Sequence, residues 1–180
     1  KIEEMKSSSE NSPDLVLVMC PAWGVNQPPV GISYLKGFLE ERGFRVRCLD
    51  LSLDLYRRFP EKKYWDLNYP DFFVTPQLFK RHILPYMHDV LDEWVEQIVG
   101  LNPVAVGFSL FMSSTNVSIL LAKRLKLVKP SLIILGGGPE VTRIKRCIIE
   151  GKKKYAPLDE EAILSGVFDI LVAGEGEATS

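Results

Sequence analysis

Val104-Ala105-Val106-Gly107-Phe108-Ser109-Leu110-Phe111-Met112-Ser113-Ser114-Thr115-Asn116 reads as a buried strand that opens directly into a helix. The run from Val104 to Phe108 is continuously apolar, which suits a strand covered on both faces. Ser113, Ser114 or Thr115 supplies the cap ahead of Val117, Leu120, Leu121, Leu125 and Val128, which recur about once per helical turn. In an open parallel sheet, ligands sit beyond the carboxyl ends of the strands. A central strand ending in Phe-Ser-Leu-Phe-Met, small and polar beside large and apolar, is therefore expected to form part of a pocket floor.

The same strand-then-helix rhythm extends in both directions. Upstream, Leu15-Val16-Leu17-Val18-Met19 is a first apolar strand that runs into Cys20-Pro21-Ala22-Trp23-Gly24-Val25-Asn26-Gln27-Pro28-Pro29-Val30-Gly31. Proline fixes φ and glycine relaxes it, so this loop is shaped rather than merely loose. A helix with Ile32, Leu35, Phe38 and Leu39 on one face stops at Gly43, and Phe44 to Asp50 alternates as a second strand nearer the sheet edge. Downstream, the helix closed by Pro130 leads to a fourth strand, Leu132 to Leu135, and then to Gly136-Gly137-Gly138-Pro139. A helix bearing Val141, Ile144, Ile148 and Ile149 and a short helical piece from Leu158 to Ser165 precede a fifth strand, Phe168 to Ala173, which ends in Gly174-Glu175-Gly176-Glu177.

Strands alternating with helices demand right-handed crossovers and a parallel sheet covered on both faces. The expected fold is α/β: a doubly wound five-stranded parallel sheet, flavodoxin-like or Rossmann-like, in the order 2-1-3-4-5. Its switch point lies between the first and third strands, so the Pro-Trp loop and the Ser109 loop should meet across one crevice.

The rhythm breaks between Leu51 and Pro85. This insertion holds eight of the eighteen aromatic residues: Tyr56, Phe59, Tyr64, Trp65, Tyr69, Phe72, Phe73 and Phe79. So many rings must pack on something, either as an excursion over the domain edge or as a lid or face for another domain. His82 and His88 flank Pro85 without a thiol or carboxylate cluster, and read as surface or packing residues. The following helix, from Pro85 to Gly100, turns Met87, Val90, Leu91, Trp94, Val95 and Ile98 to one side.

Composition narrows the classes. The 180 residues are 46% hydrophobic, enough for one sizeable core, and the net charge of -1 gives no reason to expect nucleic acid as a partner. The cluster of Arg143, Lys145 and Arg146 with Lys152, Lys153 and Lys154 reads as a solvated face. No apolar run reaches membrane-spanning length and residues 1–12 are too polar for a signal peptide, so we expect a disordered start and a cytoplasmic protein. Cys20, Cys48 and Cys147 show no CxxC-like spacing, which argues against a disulfide framework or structural zinc. A chain that begins without Met and stops at Gly-Glu-Gly-Glu-Ala-Thr-Ser is expected to be a piece of something longer.

At the strand ends, Ser109, Ser113, Ser114, Thr115, Asn116, Glu175, Glu177 and the glycines can hydrogen-bond a large planar or phosphorylated ligand, with Trp23, Phe111 and Met112 as apolar lining. Catalysis is harder to assemble. No His lies near a strand end to complete a Ser-His-acid triad, and neither a P-loop nor GxGxxG follows the first strand. The third strand lacks a terminal Asp, against a phospho-acceptor receiver domain.

Taken in order, Cys20-Pro21-Ala22-Trp23, Pro28-Pro29-Val30-Gly31-Ile32-Ser33-Tyr34-Leu35, Leu39-Glu40-Glu41-Arg42-Gly43-Phe44, Leu49-Asp50, Val106-Gly107-Phe108-Ser109, Gly136-Gly137-Gly138-Pro139-Glu140-Val141-Thr142, Asp169 and Gly174-Glu175-Gly176-Glu177-Ala178-Thr179 resemble the N-terminal cobalamin-binding domain of cobalamin-dependent radical SAM enzymes. The resemblance spans about residues 14 to 179. It implies cobalamin (vitamin B12) held at the carboxyl edge, with Pro21, Trp23, Ser109, Leu110, Phe111, Asn116, Gly136, Gly137, Gly138, Gly174, Glu175, Gly176 and Glu177 as candidate contacts. It also implies a radical SAM barrel beyond the C-terminus as the domain's partner. That barrel would carry the [4Fe-4S] cluster and S-adenosylmethionine, with methyl transfer or a related carbon-skeleton reaction as the parent's chemistry.

The chain departs from the wider cobalamin pattern in one respect: no DxHxxG follows the first strand, so cobalamin would be held without a protein His on cobalt. Radical SAM members commonly lack that His. Two other classes stay open at this point: a non-catalytic interaction domain that has lost cobalamin and docks through the aromatic insertion, and a flavin-binding flavodoxin-like domain. Ser109 fits a ligand contact and a residue satisfying nearby backbone equally. Glu175 fits a ligand contact or a helix cap, and Trp23 fits core or corrin lining.

Overall fold

Leu15 to Met19 takes the kind of position that an unbroken apolar run suits, a central parallel strand paired on both sides. In the computed structural model, which describes residues 12–65, 71–149 and 166–174, this strand is β1 (Leu15–Met19). The others are β2 (Val46–Asp50), β3 (Ala105–Ser109), β4 (Ile133–Gly137) and β5 (Ile170–Val172). All pair in parallel in the order β2-β1-β3-β4-β5, as expected from the sequence.

Boundaries moved where pairing overrode composition. The fourth strand does not stop at Leu135: Gly136 stands opposite Phe108 and Leu171, and Gly137 opposite Ser109 and Val172, so two of the three glycines are strand residues. The expected helical piece from Leu158 to Ser165, the expected disordered residues before Ser12, and Glu175, Gly176 and Glu177 lie outside the described residues.

The helices are α1 (Val30–Glu40), α2 (Leu51–Arg58), α3 (Asp71–Val74), α4 (Pro76–His82), α5 (His88–Gly100), α6 (Thr115–Val128) and α7 (Pro139–Ile149). Pro85 opens α5 less directly than the sequence suggests, because it sits in a 3-10 turn, Leu84–Tyr86, just ahead of it. No helix among the described residues is long and apolar enough to cross a membrane.

Strand alternation sorts the sheet into two faces. Val16 and Val18 of β1, Val106 and Phe108 of β3 and Ile134 of β4 join Leu55, Leu91, Trp94, Leu121 and Val141 in the main core, beneath α2, α5, α6 and α7. Leu17 and Met19 point the other way and meet Ile32 of α1, with Trp23 and Phe111 packed alongside. On that second face α1 packs on β1 and β2. α2 and α5, α6, and α7, which follow β2, β3 and β4, pack on the first face, so over β3 to β5 the second face carries no described helix. Ile133, Leu135, Gly137 and Val172 are only part-buried there, and Ile170 is 46% exposed.

Much of the described part of the aromatic insertion packs into the core, and Tyr69 lies outside the described residues. Phe59, Trp65, Phe73 and Phe79 are buried with the main cluster, and Trp65 meets Tyr56 and Phe73 edge-on at 5.4 and 5.2 Å. Rings spent in this way are not available as a docking face. His82 is a packing residue, hydrogen-bonded through Nδ1 to the Tyr64 hydroxyl at 3.2 Å and edge-on to Phe72.

Candidate functional site

The switch point between β1 and β3 is where the two loops meet. The Ala22 N–H donates to the Ser113 carbonyl at 3.2 Å, and the Ser113 hydroxyl donates to the Ala22 carbonyl at 2.6 Å. One residue on, the Trp23 N–H donates to Ser52 Oγ at 2.9 Å, and that hydroxyl donates back to the Trp23 carbonyl at 3.1 Å. The Pro-Trp loop is thus held from two sides by its backbone, beside a cis Pro21–Ala22 peptide. Pro21 is buried within this clasp. Trp23 lays its ring against Phe111, centroids 4.3 Å apart and planes tilted by 42°.

Ser114 occupies the N-cap position of α6, but its hydroxyl serves the loop rather than the helix. It accepts from the Phe111 N–H at 3.0 Å and lies 3.2 Å from the Phe111 carbonyl. Thr115 donates to that same carbonyl at 2.7 Å. The chain from Ser109 to Thr115 is in consequence a tight, internally bonded turn that presents Phe111 toward α1 and leaves Met112 43% exposed.

The candidate contacts divide between the two faces. Ser109 and Gly137 are register partners on the α1 side, with Val172 next to Gly137. A Cβ placed on Gly137 would find only ordinary contacts, the nearest being Val172 O at 3.7 Å. Leu110 is fully buried on the opposite side, and a Cβ on Gly136 would come within 2.9 Å of Leu171, 3.1 Å of Phe168 and 3.2 Å of Leu110. Gly136 is small because three core side chains close over it. Gly138 has φ +104° and would place a Cβ 2.9 Å from the Leu110 carbonyl oxygen, so its turn and the close passage of the β3 loop both require glycine.

Asn116 is also committed elsewhere, since its amide donates to the Phe73 carbonyl at 2.8 Å and ties α6 to the insertion. Gly174 has φ +100° and its N–H donates to Thr142 Oγ1 at 3.0 Å, closing the end of β5 onto α7. Asp169 bridges strands at the opposite edge: it accepts from the Ile134 N–H at 2.7 Å and pairs with Lys126 at 2.6 Å. Its position is structural.

The described residues at this edge offer hydroxyl groups and two aromatic rings. Cys20, at the end of β1, is fully buried, and desolvation pushes its thiol up to about 12, so it offers no thiolate at neutral pH. Among the described residues no three His, Cys, Asp or Glu side chains group as a metal site. A separate cleft of about 360 Å³ opens where Asp50, Asp54, Arg58, Glu93, Trp94 and Gln97 converge, but its charges answer one another. Arg58 pairs with Asp54 and Glu93, and Asp54 also accepts from Trp94 Nε1 at 2.7 Å.

Ser52 is the site residue that the sequence does not reveal. It lies 29 positions from Trp23 and in the first turn of α2, with no motif to join the two. No protein-family model, curated protein or solved structure matches the chain.

Proposed function

We propose that the chain is a cobalamin-binding module that acts with a radical SAM barrel. The observation that carries this proposal is the pairing of Ser109 with Gly137 on the sheet face that no described helix covers, beside the Trp23–Phe111 wall. A hydroxyl, a half-buried glycine at a strand end, and two aromatic rings make an edge that can take one large ligand with both polar and apolar parts. The residues therefore fit the group. Ser109 would hydrogen-bond the nucleotide tail, Gly137 would let it lie against β4, and Trp23 and Phe111 would flank the ring system.

Cobalamin, when bound, supplies a cobalt centre able to carry a methyl group. The chain's own part is to hold and orient it. No His reaches this edge, so cobalt would take no imidazole from the protein. The strand-end motifs, in their order along the chain, support the same family reading. The iron–sulfur cluster and S-adenosylmethionine belong, in this proposal, to the barrel.

The test is uptake of hydroxocobalamin, read by visible absorbance after gel filtration, with Gly137→Val beside the native chain. Gly137 carries no positive φ and its neighbours leave room, so Gly137→Val should fold and lose at least most of its cobalamin. A native chain that takes up no hydroxocobalamin sinks the proposal, and full affinity in Gly137→Val displaces the ligand from this edge.

A further inference from the structure

The Trp23 indole carries the feature that the rest of the site does not explain. Its Nε1 is buried and has no hydrogen-bond partner, a state shared by Trp65 Nε1, which lies among the packed rings of the insertion and not at the crevice. Leaving a buried donor unpaired is costly, and native structures rarely do so without cause. The backbone on either side shows what is free to move. Both the N–H and the carbonyl of Trp23 are bonded to Ser52, and Ala22 is clasped to Ser113, so the main chain is fixed while the ring is held only by packing. Its ring neighbour, Phe111, lies at a tilt rather than stacked flush. Trp94 makes the contrast: it is buried, 1% exposed, where Trp23 is half-buried, and its N–H has a carboxylate partner in Asp54 at 2.7 Å.

From this we infer that Trp23 is the specificity-determining donor of the crevice: on ligand entry its indole turns away from Phe111 and the N–H donates to an acceptor oxygen of the ligand. The class of ligand follows from the donor. It must carry a carbonyl, ribose or phosphate oxygen within reach of the Pro-Trp loop, beside an apolar surface that replaces the contact with Phe111. A purely hydrocarbon ring would leave the N–H unpaired in both states. The inference rests on the cobalamin proposal for the identity of the ligand, but not for the motion of the ring.

Hydrogen exchange of the three indole N–H groups, followed by ¹H–¹⁵N spectra of the native chain with Trp23→Phe for assignment, tests the motion without any ligand. The Trp23 N–H should exchange faster than that of Trp94, because turning the ring exposes it while the Trp94 N–H is bonded in place. Hydroxocobalamin should then shift the Trp23 signal and slow its exchange. Trp23→Phe, which keeps a ring but removes the donor, should bind hydroxocobalamin roughly 3- to 10-fold more weakly. Binding with an unmoved Trp23 signal and unchanged affinity in Trp23→Phe overturns the inference and leaves the cofactor proposal standing. Failure of the native chain to take up hydroxocobalamin overturns the cofactor proposal instead. Fast exchange then still supports Trp23 as a donor for another acceptor-bearing ligand, and protection equal to that of Trp94 overturns it.

Discussion

The Ser113 hydroxyl donates to the Ala22 carbonyl at 2.6 Å, joining two loops 91 positions apart in the chain. With the return bond from the Ala22 N–H, this clasp fixes the loops that leave β1 and β3 against each other at the switch point. Ser113→Ala removes one half and leaves the carbonyl of a residue that is 2% exposed without that donor. The expected loss is about 1 to 2 kcal/mol in urea unfolding. Hydroxocobalamin affinity should fall with it, since the clasp positions Trp23. An unchanged midpoint and affinity would show that the loops are held by packing alone.

Gly137 and Gly138 are neighbours with opposite expected behaviour. Gly138→Ala should destabilise by several kcal/mol or prevent folding, because it combines φ +104° with a Cβ 2.9 Å from the Leu110 carbonyl. Gly137→Ala, in ordinary contact with Val172, should change stability by about 1 kcal/mol or less. Thermal unfolding of the two variants decides the matter. Equal losses would mean that the turn does not discriminate between them.

Asn116 was a reasonable ligand contact on sequence alone, being a polar residue at a helix start beside a strand end. Its amide instead holds the Phe73 carbonyl at 2.8 Å. Asn116→Ala should therefore cost about 1 kcal/mol of stability and leave hydroxocobalamin affinity within about twofold. Phe73→Ala, at a fully buried ring, should cost about 3 to 5 kcal/mol. A large loss of cobalamin with intact stability in Asn116→Ala would return that side chain to the site.

The strand order was legible because it depends on apolar runs and on the handedness of crossovers, which the chain displays openly at Leu15 to Met19 and Val104 to Phe108. The glycine run was harder. Gly136, Gly137 and Gly138 look alike in sequence, yet one lies under three core side chains, one makes only ordinary contact with Val172 and one occupies a left-handed turn, differences that arise only when β4 is registered between β3 and β5. Ser52 and Trp23 likewise meet only through tertiary packing. The insertion was recognisable as packed from its rings, but which rings would be buried depended on helices α3 and α4, too short for periodicity to show.

Asp169 provides a pH test of how β5 is attached. Although partial burial works against the charged form, the hydrogen bonds from Lys126 and the Ile134 amide outweigh it and hold the carboxyl below its ordinary value of 3.8. A carboxylate whose folded value is depressed contributes stability that is present above the unfolded value and is lost as pH falls through the folded one. Asp169→Asn keeps an oxygen for the Ile134 N–H but loses the charge that faces Lys126. The side chain is 39% exposed, so solvent screens the pair and the gap between native and variant at neutral pH should be about 1 kcal/mol or less. That gap should hold down to about pH 5, narrow below about pH 4 and close at lower pH, and it should shrink with added salt. Urea unfolding across this range is the measurement. A gap that persists undiminished well below pH 4 would mean that the oxygen's geometry, rather than its charge, secures β5 to β4.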